Sequence, residues 1–166
     1  GSANNCNQVQ SGNATVIVNP LPTAIITGTT TVCLNATSPD VTFTGAGSTA
    51  PYTFTYNING GPVQTVTTSA GNTVTVSAPT NIAGTFTYNL VSVQDGSSTL
   101  CNQVQTGSAT IIVNSLPTAS IAGTSAACLN GPSPVITFTG AVGTAPYTFV
   151  YNINGGPNQT ITSTVG

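Results

Sequence analysis

The chain of 166 residues contains no lysine, arginine, histidine, methionine or tryptophan, and its only acidic residues are Asp40 and Asp95. An ordinary soluble domain is about one quarter charged. Nucleic-acid binding needs lysine and arginine to displace counterions from phosphates, so that class of function is excluded. Attraction to an anionic membrane surface is excluded for the same reason. Solubility must come from the uncharged side chains of Thr, Ser, Asn and Gln.

Long hydrophobic runs are also missing: the longest runs of Val and Ile, Val16–Val18 and Ile111–Val113, have only three residues. A helix that crosses a bilayer needs about 20 apolar residues, so we expect no membrane insertion by this segment. Residues 1–5 have neither the basic start nor the apolar centre of a signal peptide.

The residues that are present favour a folded β protein. Apolar residues make up 39% of the chain and the net charge is only -2, whereas disorder goes with low hydrophobicity and high net charge. The apolar residues are mainly Val, Ile, Phe and Tyr, which suit the pleated and half-buried surface of a sheet.

An internal repeat organises the chain. The segment Cys6–Gln10 returns as Cys101–Gln105, an offset of 101 − 6 = 95 residues, and the same offset relates Cys33–Asn35 to Cys128–Asn130. A period near 95 residues is too long for a solenoid unit and matches one small domain. The sequence therefore predicts tandem modules of one fold.

Proline-containing joints mark the module boundaries. Asn19–Pro22 and Asn114–Pro117 each follow one strand-like run and precede another. Because proline fixes its own φ and restricts the preceding residue, these joints should be short and stiff. We expect a complete repeat at 20–114, the C-terminal strands of a preceding repeat at 1–19, and the N-terminal half of a following repeat at 115–166.

Apolar and polar residues alternate through much of the complete repeat, which predicts half-buried strands. Weaker strands are predicted near 23–28, 63–68 and 108–113. After Leu90 the apolar set changes face to Val91 and Val93, which indicates a β-bulge. The alternating apolar positions are Val41 and Phe43; Tyr52, Phe54, Tyr56 and Ile58; Val74 and Val76; and Phe86, Tyr88 and Leu90.

Turn residues complete this pattern. Asn59, Gly60 and Gly61, followed by Pro62, supply the positive-φ residues of a tight hairpin turn. No stretch shows helical spacing. About seven short strands in 95 residues predict an all-β fold, an immunoglobulin-like β-sandwich repeated in tandem.

The segment Ala78–Asp95 resembles the late strands of PKD-type immunoglobulin-like domains, in which a Pro, a Gly, an aromatic alternating strand and a terminal Asp follow in this order. Pro51–Gly61 departs from that family, which usually has a Trp-Asp-Phe-Gly-Asp-Gly stretch there. The whole module, with its Leu-Pro-Thr-Ala start, is similar to repeats of giant SprB-like adhesins of gliding Bacteroidetes. The resemblance implies export by the type IX secretion system and a bacterial cell-surface location.

Each repeat carries two cysteines, which points to an oxidising compartment and a disulfide. We favour a bond between Cys33 and Cys101, which would leave Cys6 and Cys128 without partners because of truncation. One objection is that simple strand counting puts Cys33 and Cys101 at opposite ends of the module, unless segment 28–40 contains an extra crossover. The alternative is a bond between neighbouring modules.

No catalytic or metal site is expected. Asp40 is replaced by Val135 in the next repeat, and Asp95 lies in a turn-like Gln94–Ser97 segment. General acid–base chemistry needs several titratable groups within reach of one another, and calcium needs several carboxylates. Zinc would lack histidine and the C-x-x-C spacing. We expect no enzymatic activity and no cofactor.

Three functions remain open. The first is a rigid, disulfide-stapled spacer in an extracellular adhesin, contacting neighbouring repeats of the same protein. The second is a weak glycan-binding module that acts by avidity, with ladders such as Thr53/Thr55 and Thr73/Thr75 facing the ligand. The third is a self-associating filament subunit built by strand exchange between copies.

Overall fold

A computed structural model describes residues 6–164, and these residues contain strands and no helix. Nine strands fall within the predicted complete repeat and four follow it. They are β1 (Thr23–Thr27), β2 (Thr30–Cys33), β3 (Asp40–Ala46), β4 (Thr53–Ile58), β5 (Val63–Thr67), β6 (Thr73–Ser77), β7 (Gly84–Gln94), β8 (Asn102–Val104), β9 (Ser108–Asn114), β10 (Thr118–Ala122), β11 (Thr137–Ala141), β12 (Thr148–Tyr151) and β13 (Gln159–Thr162).

The first nine strands form two sheets. One sheet has the order β1-β3-β6, and the other has the order β2-β9-β7-β4-β5 with the short β8 beside β7. All neighbours are antiparallel except β2 and β9, which are parallel. This is an immunoglobulin-like β-sandwich, and the prediction of an all-β fold of this type is confirmed.

The core lies between the inner faces of the two sheets. Alternate residues along each strand point inward, as the sequence pattern predicts. Val41, Phe43, Phe54, Val93 and Ile111 are completely buried. The inner faces of both sheets carry aromatic rings and β-branched side chains. Their burial against each other holds the two sheets together. The partly buried Ile58, Val74 and Val76 pack at the edge of this core.

The bulge in β7 is confirmed. The pairing of β4 with β7 shifts register between Thr55 and Tyr56, so that Ser92 and Leu90 have partners while Val91 is skipped. An extra residue reverses the alternation, and both Leu90 and Val93 therefore reach the core.

The strand count differs from the prediction of about seven. The first predicted strand is followed by β2, in segment 28–40, which leaves the first sheet and joins the second alongside β9. The short β8 is the other addition. Strands β2 and β8 have only four and three residues, which is too short for an alternation of apolar and polar residues to be recognised in the sequence.

The flanking segments repeat parts of this architecture. The β10–β11 pair has the register of β1–β3, with Thr118 opposite Ala141 as Thr23 is opposite Ala46. The β12–β13 pair likewise matches β4–β5. Residues 6–19 form no strand here, and their assignment to a preceding repeat stays a prediction; residues 1–5 lie outside the described part. A strand forms only against a partner, and none pairs with this segment.

Within residues 6–164, the structure contains no helix of the length and apolarity needed to cross a membrane.

Candidate functional site

The two ends of the sandwich carry the features of functional interest. The chain enters β1 at the end where Thr23 is opposite Ala46, and it leaves β9 at the end where Val113 is opposite Gly84. Strand β7 runs between these ends. Its 11 residues, at about 3.3 Å each, span about 36 Å. We call the first the entry end and the second the exit end.

The predicted cysteine pair is split between these two ends. Cys33 closes β2 in register with Asn114 at the exit end, whereas the Cys101 carbonyl accepts a hydrogen bond from the Asp95 backbone at the entry end, 3.0 Å away. Both are free thiols. The structure therefore corrects the predicted Cys33–Cys101 bond, because β2 changes sheet without reversing direction.

Cys6 and Cys128 are also free thiols, and both are exposed. Cys128 lies between β10 and β11, while Cys6 lies in the strand-free segment before β1. Their assignment as unpaired or inter-module cysteines stays a prediction.

The predicted hairpin turn is confirmed between β4 and β5. Asn59 and Gly60 have φ values of 53° and 72°, and the Gly61 backbone N–H donates to the Ile58 carbonyl at 2.9 Å. Asn59 also ties the turn to β7. Its side-chain amide donates to the Thr85 carbonyl, and its side-chain oxygen accepts from the Thr87 backbone at 2.7 Å.

Asp95 is held in a network of hydroxyl groups at the entry end. Its carboxylate accepts hydrogen bonds from the hydroxyls of Ser48 and Ser97 and from the Ser97 backbone. The bond from Ser48 is the main reason that the pKa of Asp95 lies below its usual 3.8; the Ser97 bonds add to it and burial opposes it. The residue is 2% exposed, so it is a structural turn carboxylate, as the sequence indicates.

Tyr52 fixes the loop that carries Ser48. The Tyr52 hydroxyl donates to the Ser48 carbonyl and accepts from the Ser48 backbone N–H, while the Tyr52 backbone donates to Thr68 Oγ1 at 2.9 Å. The following repeat reproduces this arrangement: Tyr147 donates to the Gly143 carbonyl at 3.0 Å. The entry loop is thus a built feature of the module.

The joint before β1 is tied to the entry end. The Asn19 side-chain amide donates to Thr99 Oγ1 at 2.8 Å, and Thr99 Oγ1 lies 3.2 Å from the Cys101 sulfur. Pro22 is fully buried. Sequence reasoning places Asn19 in a joint, and its repeat as Asn114 supports that, but the contact between Asn19 and Thr99 is not visible in the sequence.

The joint after β9 has a concave surface. It is lined by the linker residues Ser115 and Pro117, by Cys33 from the exit end, and by segment 142–144 of the following repeat. The cleft is therefore made of residues from two consecutive modules.

Thr53, one of the outer Thr residues proposed above as a glycan face, pairs with Thr67 on the neighbouring strand. Thr53 and Thr67 hydroxyls lie 2.9 Å apart, and their equivalents Thr148 and Thr162 lie 3.1 Å apart. Among residues 6–164 no group of three or more His, Cys, Asp or Glu side chains is arranged to hold a metal ion.

Comparisons with known proteins add one structural likeness. No family model matches the chain, and no curated protein matches it either. Among solved structures, the CARDB domain of a Pyrococcus furiosus protein, determined in complex with di-metal ions, is similar at 20% identity and a TM-score of 0.40, covering 61% of this chain and 99% of that one.

Proposed function

We propose that residues 20–114 are a structural repeat of a long extracellular surface adhesin of bacteria, acting as a rigid spacer in cell-surface adhesion or gliding. The observation that carries this proposal is the placement of the chain termini. The chain enters β1 at one end of the sandwich and leaves β9 at the opposite end. Modules joined in this way extend end to end instead of folding back.

The short linkers support stiffness. Only residues 115–117 separate β9 from β10. Proline is present in both joints, and Asn19 is hydrogen-bonded to the body of the next module. A joint of only three residues, one of them a proline with a fixed φ angle, leaves little freedom for neighbouring modules to rotate.

The surface chemistry also fits a spacer. The chain has no lysine or arginine, so trypsin-like proteases find no cleavage site, which suits an extracellular location. The Asp95 carboxylate is occupied by hydroxyl donors, Ser97 from its own turn and Ser48 from the neighbouring loop. We propose no enzymatic activity, and neighbouring repeats are the partners we assign.

Small-angle X-ray scattering on arrays of one, two and four copies of residues 20–114 tests the spacer. We expect the maximum dimension to grow by a constant increment of about 36 Å or more per module, the length of β7 at 3.3 Å per residue. The control array carries Pro20→Gly and Pro22→Gly at every joint and should be more compact. An increment that falls with module number in the unaltered array would contradict a rigid spacer.

The two alternatives have their own measurements. Saturable retention of residues 20–114 on a glycan array would favour the binding module, although one of the Thr53 and Thr67 hydroxyls already donates to the other. Electron microscopy of the 166-residue chain would favour the filament if it showed fibres, and discrete particles would rule the filament out.

A further inference from the structure

Each repeat carries one cysteine at each end of the sandwich. We call Cys33 and Cys128 exit cysteines, and Cys6 and Cys101 entry cysteines, after the ends at which Cys33 and Cys101 lie. In a tandem array, every joint receives the exit cysteine of one module and the entry cysteine of the next. We propose that a disulfide bond between these two closes each joint.

The joint before β1 supplies the first argument. Asn19 donates to Thr99, and the Thr99 hydroxyl contacts the Cys101 sulfur. Two short contacts, of 2.8 and 3.2 Å, therefore connect this joint residue to the entry cysteine of the module that follows.

The repeat relates Asn19 to an exit cysteine. Asn19 is equivalent to Asn114, since 114 − 19 = 95. Asn114 is the register partner of Cys33 in the parallel β2–β9 pair, and its carbonyl accepts from the Leu34 backbone at 2.8 Å. Neighbouring strands lie about 4.8 Å apart. The exit cysteine of a preceding module thus belongs beside the position of Asn19, the residue that contacts Thr99.

The joint after β9 also brings an exit cysteine close to the entry end of the next module. Cys33 lines one concave surface with segment 142–144 of the following repeat. Subtracting 95 gives segment 47–49 of the complete repeat. That segment holds the turn before Cys101: Ser48 donates to Asp95, and the Gly96 backbone donates to the Thr49 carbonyl at 2.9 Å. The exit cysteine therefore faces the loop beside which the next entry cysteine lies.

Both thiols are accessible for oxidation, since Cys33 is exposed and Cys101 is partly exposed. A small-molecule disulfide such as oxidised glutathione is the oxidant. One cysteine thiolate attacks it, releasing one glutathione thiol, and the second cysteine displaces the other glutathione to form the sulfur–sulfur bond. Two protons and two electrons leave the protein, and the oxidant is reduced to two thiols.

The bond would restrict rotation at every joint, because a disulfide requires Cα atoms about 4.4–6.8 Å apart. The inference needs only tandem repetition of the module and does not depend on the spacer function. If the joints were closed by disulfides in a protein that is not a spacer, the disulfide proposal would hold and the spacer proposal would fail.

The first test completes the following module. Residue 166 is equivalent to residue 71, so residues 72–114 are appended to the full chain, which adds a second copy of Cys101. A Cys6→Ser background leaves Cys33 as the only cysteine in the peptide 1–39 produced by an Asp-specific protease. After oxidation with glutathione, non-reducing mass spectrometry should find that peptide linked to the C-terminal peptide that carries the second Cys101.

Two matched variants accompany this test. Cys33→Ser should remove the link, whereas Cys128→Ser should keep it, because Cys128 faces a fourth module that the extended chain lacks. A link from Cys33 to the original Cys101 or to Cys128, or thiols that all stay free, would overturn the proposal.

The second test uses the 166-residue chain without the extension. It therefore tests the position of Cys33 at the joint even if the extended chain fails to fold. Thr144→Cys introduces a thiol into the loop that shares the concave surface with Cys33. We expect oxidation to join it to Cys33. The control is Thr49→Cys, the equivalent position in the complete repeat, which should leave Cys33 free. Persistence of free Cys33 in the Thr144 variant, with the circular dichroism of the parent chain, would overturn the proposal.

Discussion

The ring of Tyr52 lies directly over Gly45. A β-carbon built on Gly45 would be 2.5 Å from Tyr52 Cγ, and one built on Gly140 would be 2.4 Å from Tyr147 Cγ. The same close approach thus occurs in both repeats. Since real β-carbons do not come this near to a ring carbon, only glycine permits the tyrosine to lie flat on β3 and to reach the Ser48 loop.

Gly45→Ala should therefore destabilise the complete module. The added methyl displaces the buried Tyr52 ring, and overpacking of this kind costs about 1–3 kcal/mol in the free energy of unfolding. Urea denaturation followed by tyrosine fluorescence measures the change. Gly12→Ala is the control, since nothing lies within 4 Å of a β-carbon there. Equal stability of the two variants would show that the ring moves aside freely.

Asn59→Gly should weaken the hairpin's attachment to β7. Glycine tolerates the positive φ of Asn59, so the variant removes only the side-chain bonds to Thr85 and Thr87. At about 0.5–1.5 kcal/mol for each bond, we expect a loss of about 1–3 kcal/mol in unfolding free energy. Asn154→Gly is the matched control, with φ 52° and no equivalent of β7 among the described residues. A similar loss in both variants would contradict this account.

Phe43→Ala should unfold much of the complete module. Phe43 is completely buried, with ring centroids 5.6 Å from Phe54 and 5.0 Å from Tyr56. Removing such a ring costs about 3–5 kcal/mol, a large part of a domain's stability. Phe138→Ala is the matched control because Phe138 has the equivalent ring neighbours, Phe149 and Tyr151, but is only partly covered. Differential scanning calorimetry should show a large drop in Tm for Phe43→Ala alone.

Acid should destabilise the module through Asp95. Its pKa in the folded state lies below the ordinary 3.8, so the ionised form is the one that folding favours. That contribution is complete above the unfolded pKa and is lost as the pH falls from about 3.8 through the folded pKa. Tm measured between pH 7 and pH 2 should fall less steeply in Asp95→Asn. Ser48→Ala should also flatten the profile, because the Ser48 hydroxyl is the main cause of the shift. If the fall of Tm with pH were the same in both variants as in the parent chain, Asp95 would not be a source of the acid sensitivity.

Sequence reasoning identified the core because burial follows a local rule. Period-two alternation places Phe43 and Phe54 on the apolar faces of their strands, and both are completely buried. The hairpin at Asn59 and Gly60 was equally accessible, since positive φ is a property of the residues themselves. The contact between Asn19 and Thr99 was missed because they are 80 residues apart and meet only across a joint.

The sequence by itself determined the repeat of 95 residues, the β class and the inner face of each main strand, since all three depend on residue identity at short or fixed spacing. Only the tertiary structure decided where the cysteines lie. Strand β2 keeps its direction while changing sheet, and it ends beside Asn114, so Cys33 and Cys101 lie at opposite ends of the sandwich. Sheet membership depends on pairing with β9, about 80 residues away, and local alternation carries no information about it.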